Sequence, residues 1–114
     1  MIKLKRVYLA ATKADGCRVL VDRLWPRGLS KQKAKVDVWL RDIAPSNELR
    51  NWYGHEPERW PGFLRRYTAE LKKQKDAVKE LRAILKRHKT VTFLFSSKEE
   101  KLNNAVALKG YLRK

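Results

Sequence analysis

The sequence predicts a single α/β domain over residues 1–114, in which helices pack around a small, mostly parallel sheet of about three strands. Three observations lead to this expectation. The chain of 114 residues has the length of one domain and contains no linker-like or repeated segment. Short β-branched segments alternate with longer segments in which apolar residues recur at helical spacing. With only five Gly and four Pro, the composition is that of a globular protein rather than a disordered one.

Three segments are predicted to be strands. Residues 2–9 and 90–95 are rich in β-branched and large apolar side chains. Residues 17–24 contain a continuous apolar run at 19–21, which is typical of a strand buried on both faces. Several helices separate the second strand from the third, so these two strands are expected to be parallel. About seven residues join the first two strands, a length that normally favours antiparallel neighbours, and the orientation of the first strand is left open.

The first half of the chain predicts three helices, each with a characteristic boundary. Ser30 is the expected N-cap of a short helix over residues 31–42, and Ser46 is the expected N-cap of the helix that follows. Gly54 is expected to end this second helix. The third helix is predicted to begin near Pro57, because proline suits the first helical turn.

The second half predicts two further helices. One spans about residues 76–88, with His88 as a half-buried packing residue on its apolar face. Ser97 and Glu100 match a capping box, in which the hydroxyl accepts a backbone N–H and the carboxylate reaches back to the cap. These two residues predict that the last helix begins at Ser97.

The unusual property of the chain is its positive charge. Lys and Arg number 28 against 12 Asp and Glu, which gives a net charge of +16 and a pI near 10.3. Residues 36–62 carry three basic and five acidic side chains, so the excess lies on either side of them. Four basic residues recur at helical spacing from the start of the helix predicted over about residues 76–88 and share one of its faces. We call them the basic stripe: Lys75, Lys79, Arg82 and Lys86. Such a surface could follow the phosphate backbone of a nucleic acid, or it could be the solvated face of an amphipathic helix.

The densest group of chemically capable side chains follows the second predicted strand, in residues 21–28. The carboxyl end of a buried strand is where open α/β sheets bind their ligands. Arg23 and Arg27 could hold a phosphate or carboxylate, while Asp22 orients one of them or acts as a base. The alternative is a structural ion pair between Asp22 and one of these arginines, which would close the edge of the sheet.

Polar residues elsewhere extend this expected site. His55 precedes a predicted helix N-terminus, where it could transfer a proton, contact a phosphate or cap the helix. The end of the third strand offers hydroxyl and backbone N–H groups to an anion, with helix capping as the alternative. The catalytic candidates are therefore Asp22 and His55, and the candidate anion-binding residues are Arg23, Arg27, Ser96, Ser97 and Asn104.

Several kinds of function have no signal in the sequence. There is no glycine-rich nucleotide-binding loop, and the single cysteine and two histidines lie too far apart to predict a metal site, so no metal and no cofactor is expected. One cysteine excludes an internal disulfide, which is typical of a protein from the reducing cytoplasm. No apolar segment approaches the roughly 18 residues of a membrane span, so no membrane partner is expected. The sequence does not reveal the oligomeric state.

A set of motifs covers nearly the whole chain. It comprises Val19–Gly28 (VLVDRLWPRG), Trp39–Leu40, Ile43–Ser46, Glu48–Arg50, Trp52–His55, Arg66–Tyr67, Glu70–Leu71, Val91–Leu94, Asn103–Val106, Leu108–Lys109 and Tyr111–Leu112. This set resembles the YeaO-like family, short bacterial proteins classed as a domain of unknown function. The resemblance implies a compact cytoplasmic α/β domain and supplies no established reaction, substrate or cofactor. Longer relatives carry cysteine near the end of the third strand, where this chain has Ser96 and Ser97, so a thiol mechanism is not carried over.

Two functions remain open at this point. The favoured one is a small basic cytoplasmic module that binds a polyanion such as nucleic acid, mainly through the basic stripe. The alternative is a small enzyme, a hydrolase or transferase, that acts on an anionic or phosphorylated small substrate at the C-terminal edge of the sheet. Because no motif commits the chain to a reaction class, the sequence leaves open whether the protein is an enzyme.

Overall fold

A computed structural model, which describes residues 1–113, contains a four-stranded sheet in which every pair of strands is parallel. The strand order is β1-β4-β2-β3. The strands are β1 Ile2–Arg6, β2 Cys17–Leu20, β3 Val38–Trp39 and β4 Val91–Phe95. The predicted α/β class is confirmed, and the sheet has one strand more than the three expected from the sequence.

Within residues 1–113, five α-helices pack around this sheet. They are α1 Lys31–Ala34, α2 Asn47–Tyr53, α3 Trp60–Lys73, α4 Lys75–Arg87 and α5 Asn104–Leu112. The predicted caps of the first two helices are confirmed, because Ser30 Oγ accepts the Lys33 N–H and Ser46 Oγ accepts the Leu49 N–H, both at 3.1 Å. Gly54 ends α2 with a φ of +51°, as predicted, a conformation that glycine adopts without a steric penalty.

Strand β4 occupies a central position because its apolar residues need cover on both faces. All five of its residues are buried, and β1 and β2 flank it in parallel register, with Leu4 and Val19 both opposite Phe93. The orientation of β1, which the sequence left open, is therefore parallel, and β1 and β2 are not neighbours. All four strands consequently have their carboxyl ends at one edge of the sheet, and the segments that follow β1, β2 and β4 meet there.

The two faces of the sheet are covered differently. Alternate residues of β2 and β4, such as Val19 and Phe93, face a large apolar cluster that includes Phe63 and Tyr67 of α3 and residues of α2, α4 and α5. The opposite face carries a smaller cluster around Leu20 and is covered by α1 and by loop residues. Burial of apolar side chains on both faces accounts for the continuous apolar run that marked β2 in the sequence.

A buried polar cluster joins β1, β2 and the turn between them. The Asp15 carboxylate accepts hydrogen bonds from Lys5 Nζ at 3.1 Å and from Arg18 Nη1 at 2.6 Å. Burial raises the pKa of Asp15, but hydrogen bonds from Thr12, Lys5 and Arg18 outweigh it and hold the pKa at about 2. Asp15 therefore stays ionised and tied to its partners throughout the neutral range.

The predicted helix over residues 31–42 is wrong beyond its first turn. Helix α1 ends at Ala34, and Lys35 has a left-handed φ of +48°. Residues 38–39 form β3 against β2, and the Asp37 carboxylate accepts the Arg18 backbone N–H at 2.8 Å. Pairing with the exposed edge of β2 outweighs the weak helical preference of these residues.

Two predictions for the second half of the chain are also wrong. The capping box at Ser97 does not form, because helix α5 begins only at Asn104, with Asn103 Oδ1 accepting the Val106 N–H at 3.0 Å. Ser97 Oγ accepts the Glu99 N–H within a loop instead. His88, expected to be half-buried, is exposed, because α4 ends one residue before it and the backbone there becomes extended.

No helix within residues 1–113 is long and apolar enough to cross a lipid bilayer.

Candidate anion-binding site

A cavity of about 560 Å³ lies where the carboxyl ends of β1, β2 and β4 meet, and we call it the edge cavity. Tyr8 follows β1, residues 22–27 follow β2, and residues 96–97 follow β4. Residues 45, 50–51, 53–55, 63 and 103–104 complete the walls. This is the position at which parallel α/β sheets bind ligands, because the loops after neighbouring strands diverge there.

The edge cavity brings together every residue that the sequence singled out for catalysis or anion binding. They come from four separate segments of the chain, and all of them line this one cavity: Asp22, Arg23, Arg27, His55, Ser96, Ser97 and Asn104. Their chemical roles stay predictions. Their hydrogen bonds, however, divide them into residues that hold the cavity walls together and residues that are open to a ligand.

Asp22 holds three elements together. Its Oδ2 accepts hydrogen bonds from the backbone N–H and the hydroxyl of Ser96, at 2.8 and 2.7 Å, and its Oδ1 accepts one from Asn104 Nδ2 at 3.0 Å. Asn104 Nδ2 also donates to the Val21 carbonyl at 3.0 Å. The carboxylate thus joins the ends of β2 and β4 to the start of α5, and the amide protons of Asn104 are already engaged.

Arg23 is fixed to the segment that precedes α2. Its Nε donates to the Pro45 carbonyl at 3.1 Å and its Nη2 to the Ala44 carbonyl at 2.9 Å. The ion pair between Asp22 and an arginine, which was the structural alternative, is absent from residues 1–113. Arg23 therefore contributes its charge to the edge cavity from a fixed position, uncompensated by a direct carboxylate contact.

Two further arginines are open to solvent at the edge cavity. Arg27 is exposed, and its guanidinium makes no hydrogen bond or ion pair to the described residues, while its carbonyl accepts the Tyr8 hydroxyl at 2.9 Å. Arg50 is exposed as well, with Nη1 donating to Asn47 Oδ1 at 3.0 Å. The remaining N–H groups of both guanidinium groups are available to an anion.

His55 stands at the edge cavity in an unusual backbone conformation. Its φ is +58°, in the left-handed region that few non-glycine residues adopt, and it follows Gly54, whose φ is +51°. His55 is exposed. The expectation that it caps the next helix is not met, because the short helix over Pro57–Arg59 has Glu56 as its N-cap residue. Residues in this conformation often lie at ligand sites, where strain is retained for function.

A loop shaped by its own side chains forms the side of the edge cavity after β4. Ser97 Oγ accepts the Glu99 N–H at 3.0 Å, which leaves the hydroxyl proton of Ser97 free to be donated. Glu99 accepts the backbone N–H groups of Lys101 and Leu102, and these hydrogen bonds lower the pKa of Glu99. Arg6 Nε donates to the Ser97 carbonyl at 3.0 Å and fixes the loop to β1.

The electrostatic character of the edge cavity follows from these residues. Three arginines and one aspartate line it, so the lining carries an excess of two positive charges with His55 neutral. Positive charge in a concave site concentrates anions from solution. Within residues 1–113, no group of three or more His, Cys, Asp or Glu residues could hold a metal ion.

The basic stripe lies elsewhere. Its four side chains sit on α4, all are exposed, and none lines the edge cavity. In the part of the chain that the structure describes, none of the four forms a salt bridge. The stripe and the edge cavity are therefore two separate surfaces that could each attract an anion.

Sequence reasoning missed Arg50 and Tyr8. Arg50 lies four residues before Gly54 on α2, so one helical turn places it near the segment that carries His55. That spacing could have revealed it. Tyr8 follows β1, and its position could be inferred only from the order of strands in the sheet.

Comparison with known proteins agrees with the motifs in the sequence. The family model described as "Inactive DUF488-N3 subclade" matches residues 1–114. The chain is 41% identical to the uncharacterized protein YeaO of Escherichia coli, over 98% of this chain and 96% of that protein. It is 50% identical to the uncharacterized protein Rv3073c of Mycobacterium tuberculosis, over 61% of this chain and 59% of that protein.

The chain is also 50% identical to the uncharacterized protein Mb3100c of Mycobacterium bovis, over 61% of this chain and 59% of that protein. The chain therefore spans less than two thirds of the length of these mycobacterial relatives. No solved structure gives a significant match to the chain. The resemblance to the YeaO-like family is confirmed, and the chain belongs to the inactive DUF488-N3 subclade.

Proposed function

We propose that the protein is a non-catalytic binding domain that holds a small anionic ligand in the edge cavity. The observation that carries this proposal is the set of cationic groups around it. Arg23, Arg27 and Arg50 surround a concave site in which Asp22 is the one acidic residue among the lining side chains of residues 1–113. Arginine binds phosphate and carboxylate groups through paired N–H donors, so these two groups are the ligand chemistry that the cavity favours.

The absence of catalysis in this proposal rests on how Asp22, the candidate base, and the neighbouring Ser96 hydroxyl are hydrogen-bonded. A base for a substrate proton must lie within hydrogen-bond reach of it, but the Asp22 carboxylate already accepts three hydrogen bonds from Ser96 and Asn104. Within residues 1–113 no histidine is hydrogen-bonded to Ser96 or Asp22, so the pair has no imidazole that would pass the hydroxyl proton to a leaving group. The word "inactive" in the description of the family model supports the same proposal. A hydrolase or transferase that acts on an anionic substrate is the less favoured alternative.

Calorimetric titration with inorganic pyrophosphate at low ionic strength tests the proposal. The wild type is expected to bind, and Arg27→Ala is expected to weaken binding about tenfold or more, since a hydrogen bond to a charged group contributes about 1.5–3 kcal/mol. Arg65→Ala is the matched control, because Arg65 is exposed on α3 and does not line the edge cavity. Equal affinity in the wild type and Arg27→Ala would contradict the proposal.

A second candidate function, binding of nucleic acid along the basic stripe, is favoured by the exposure of all four stripe residues without ion-pair partners among residues 1–113. Neutralisation of each phosphate by a cation releases counterions, so the affinity should fall steeply with salt. This candidate requires no concave site. It therefore does not depend on the edge cavity, and the two candidates are separable.

Fluorescence anisotropy with labelled single- and double-stranded DNA and RNA, titrated across salt concentrations, tests this second candidate. Replacing the four stripe residues by Gln is expected to lower the slope of log affinity against log salt by roughly 2 to 4. The control replaces four exposed lysines elsewhere and changes the net charge equally: Lys13, Lys31, Lys33 and Lys98. An equal decrease of this slope in both variants would mean that only the net charge determines the affinity, and would rule out the stripe as a binding site.

A further inference from the structure

The edge cavity presents apolar surface as well as charge. Its lining includes Tyr8, Leu24, Trp25 and Pro26, which follow β1 and β2. Tyr8 is 41% exposed and Leu24 is 57% exposed. Five large apolar side chains are exposed within residues 1–113, and two of these five line this single cavity. Exposed apolar side chains gathered at a concave site mark a binding surface.

The two aromatic rings of this wall have their polar atoms already bonded. The Tyr8 hydroxyl donates to the Arg27 carbonyl at 2.9 Å, and Trp25 Nε1 donates to the Leu29 carbonyl at 2.7 Å. Trp25 also packs edge-on against Trp39, with ring centroids 5.4 Å apart. Since their polar atoms are satisfied within the protein, what these two residues offer to the cavity is ring surface at fixed positions.

Aromatic rings also line the interior of the cavity. Tyr53 and Phe63 are buried, at 5% and 2% exposure, and their ring centroids are 4.7 Å apart. The Tyr53 hydroxyl donates to the Leu102 carbonyl at 2.9 Å, so this polar atom is engaged too. Two further aromatic rings therefore lie at fixed positions in the cavity lining, while the cations Arg27 and Arg50 are exposed to solvent.

We infer that the edge cavity binds a nucleoside monophosphate, with the base against the apolar wall and the phosphate on the exposed arginines. This inference rests on the proposed function and specifies its ligand. A bare phosphate would use the charge alone and leave the rings exposed, whereas an uncharged aromatic compound would leave the arginines unpaired. The volume of about 560 Å³ falls within the range of sites that hold a whole small molecule.

The experiment compares three probes by calorimetry at one low salt concentration: adenosine 5′-monophosphate (AMP), ribose 5-phosphate and adenosine. Stacking of a base on an aromatic side chain contributes a factor of about ten or more. AMP is therefore expected to bind at least tenfold more tightly than ribose 5-phosphate, and also at least tenfold more tightly than adenosine. Affinity for AMP equal to that for ribose 5-phosphate would overturn the inference and leave the proposed anion site standing.

Two variants locate the base. Leu24→Ser and Tyr8→Ser are each expected to reduce the ratio of AMP affinity to ribose 5-phosphate affinity by threefold or more. Leu64→Ser is the matched control, because Leu64 is 36% exposed on α3, away from the cavity, and it should keep the wild-type ratio. An unchanged ratio in both cavity variants would overturn the inference. Failure of both AMP and ribose 5-phosphate to bind, while inorganic pyrophosphate binds, would also overturn the inference. Failure of all three to bind would instead refute the proposed function itself.

Discussion

Removal of the Asp22 carboxylate should destabilise the fold through the contacts that join three elements at the edge cavity. Asp22→Ala leaves the Ser96 N–H, the Ser96 hydroxyl and one Asn104 N–H without their acceptor. A hydrogen bond to a charged group contributes about 1.5–3 kcal/mol. The three hydrogen bonds here share one carboxylate, so their contributions are not additive, and water in the cavity can replace some of them. We therefore expect a loss of about 2–4 kcal/mol in the free energy of unfolding.

Urea denaturation followed by tryptophan fluorescence measures this loss as a lower midpoint with an unchanged m-value. Asp22→Asn, which retains one acceptor oxygen, should lose about half as much. Asp42→Ala is the matched control, since Asp42 is exposed and makes no hydrogen bond through its side chain to residues 1–113, and its effect should stay within about 0.5 kcal/mol. If Asp22→Ala and Asp42→Ala were equally stable, Asp22 would not be the residue that holds the cavity walls together.

Three further predictions concern stability, and each is checked by urea denaturation. Gly16→Ala should cost about 3 kcal/mol or more, because the φ of Gly16 is +65° and a Cβ there would lie 2.2 Å from the Thr90 carbonyl oxygen. Gly110→Ala, in open space within α5, should instead gain about 0.5–1 kcal/mol. Equal effects of the two substitutions would contradict the close contact between Gly16 and Thr90. Tyr67→Phe should cost about 1–2 kcal/mol, because the buried hydroxyl donates to the Ile43 carbonyl at 2.6 Å, and a neutral result would show that this hydrogen bond contributes nothing. The folded-state pKa of Asp15, about 2, is below its ordinary value of 3.8. The contribution of Asp15 to the free energy of unfolding is therefore complete above about pH 4 and is lost as the pH falls to about 2. After screening by solvent, the wild type should lose about 1–2 kcal/mol over that range relative to Asp15→Asn, and parallel pH profiles of the two proteins would refute this prediction.

The sequence predicted those features that local chemistry determines. The strands predicted over residues 17–24 and 90–95 are the two central strands, although β2 already ends at Leu20, because their apolar side chains need burial on both faces. Ser30, Ser46 and Gly54 are found at the helix ends where their side chains or backbone freedom predicted them. The meeting of Asp22, Arg23 and Arg27 with Ser96 and Ser97 followed from one rule, that the carboxyl ends of parallel strands share an edge of the sheet.

Features that depend on tertiary contacts could not be predicted in the same way. Residues 38–39 form a strand only because the edge of β2 is available to pair with them. Ser97 has the spacing of a capping box, but the loop after β4 is needed to line the edge cavity, and the helix begins seven residues later at Asn104. Likewise, the bonding of Asp22 to Ser96 and Asn104 joins residues more than 70 positions apart in the chain.

Two-dimensional ¹H–¹⁵N NMR during titration with inorganic pyrophosphate shows whether the edge cavity is the anion-binding site of this protein. Saturable shifts are expected for the backbone signals of Arg27, Arg50 and His55, with the signals of the basic stripe unmoved. Saturable shifts confined to the basic stripe, or none in either region, would contradict this assignment of the site.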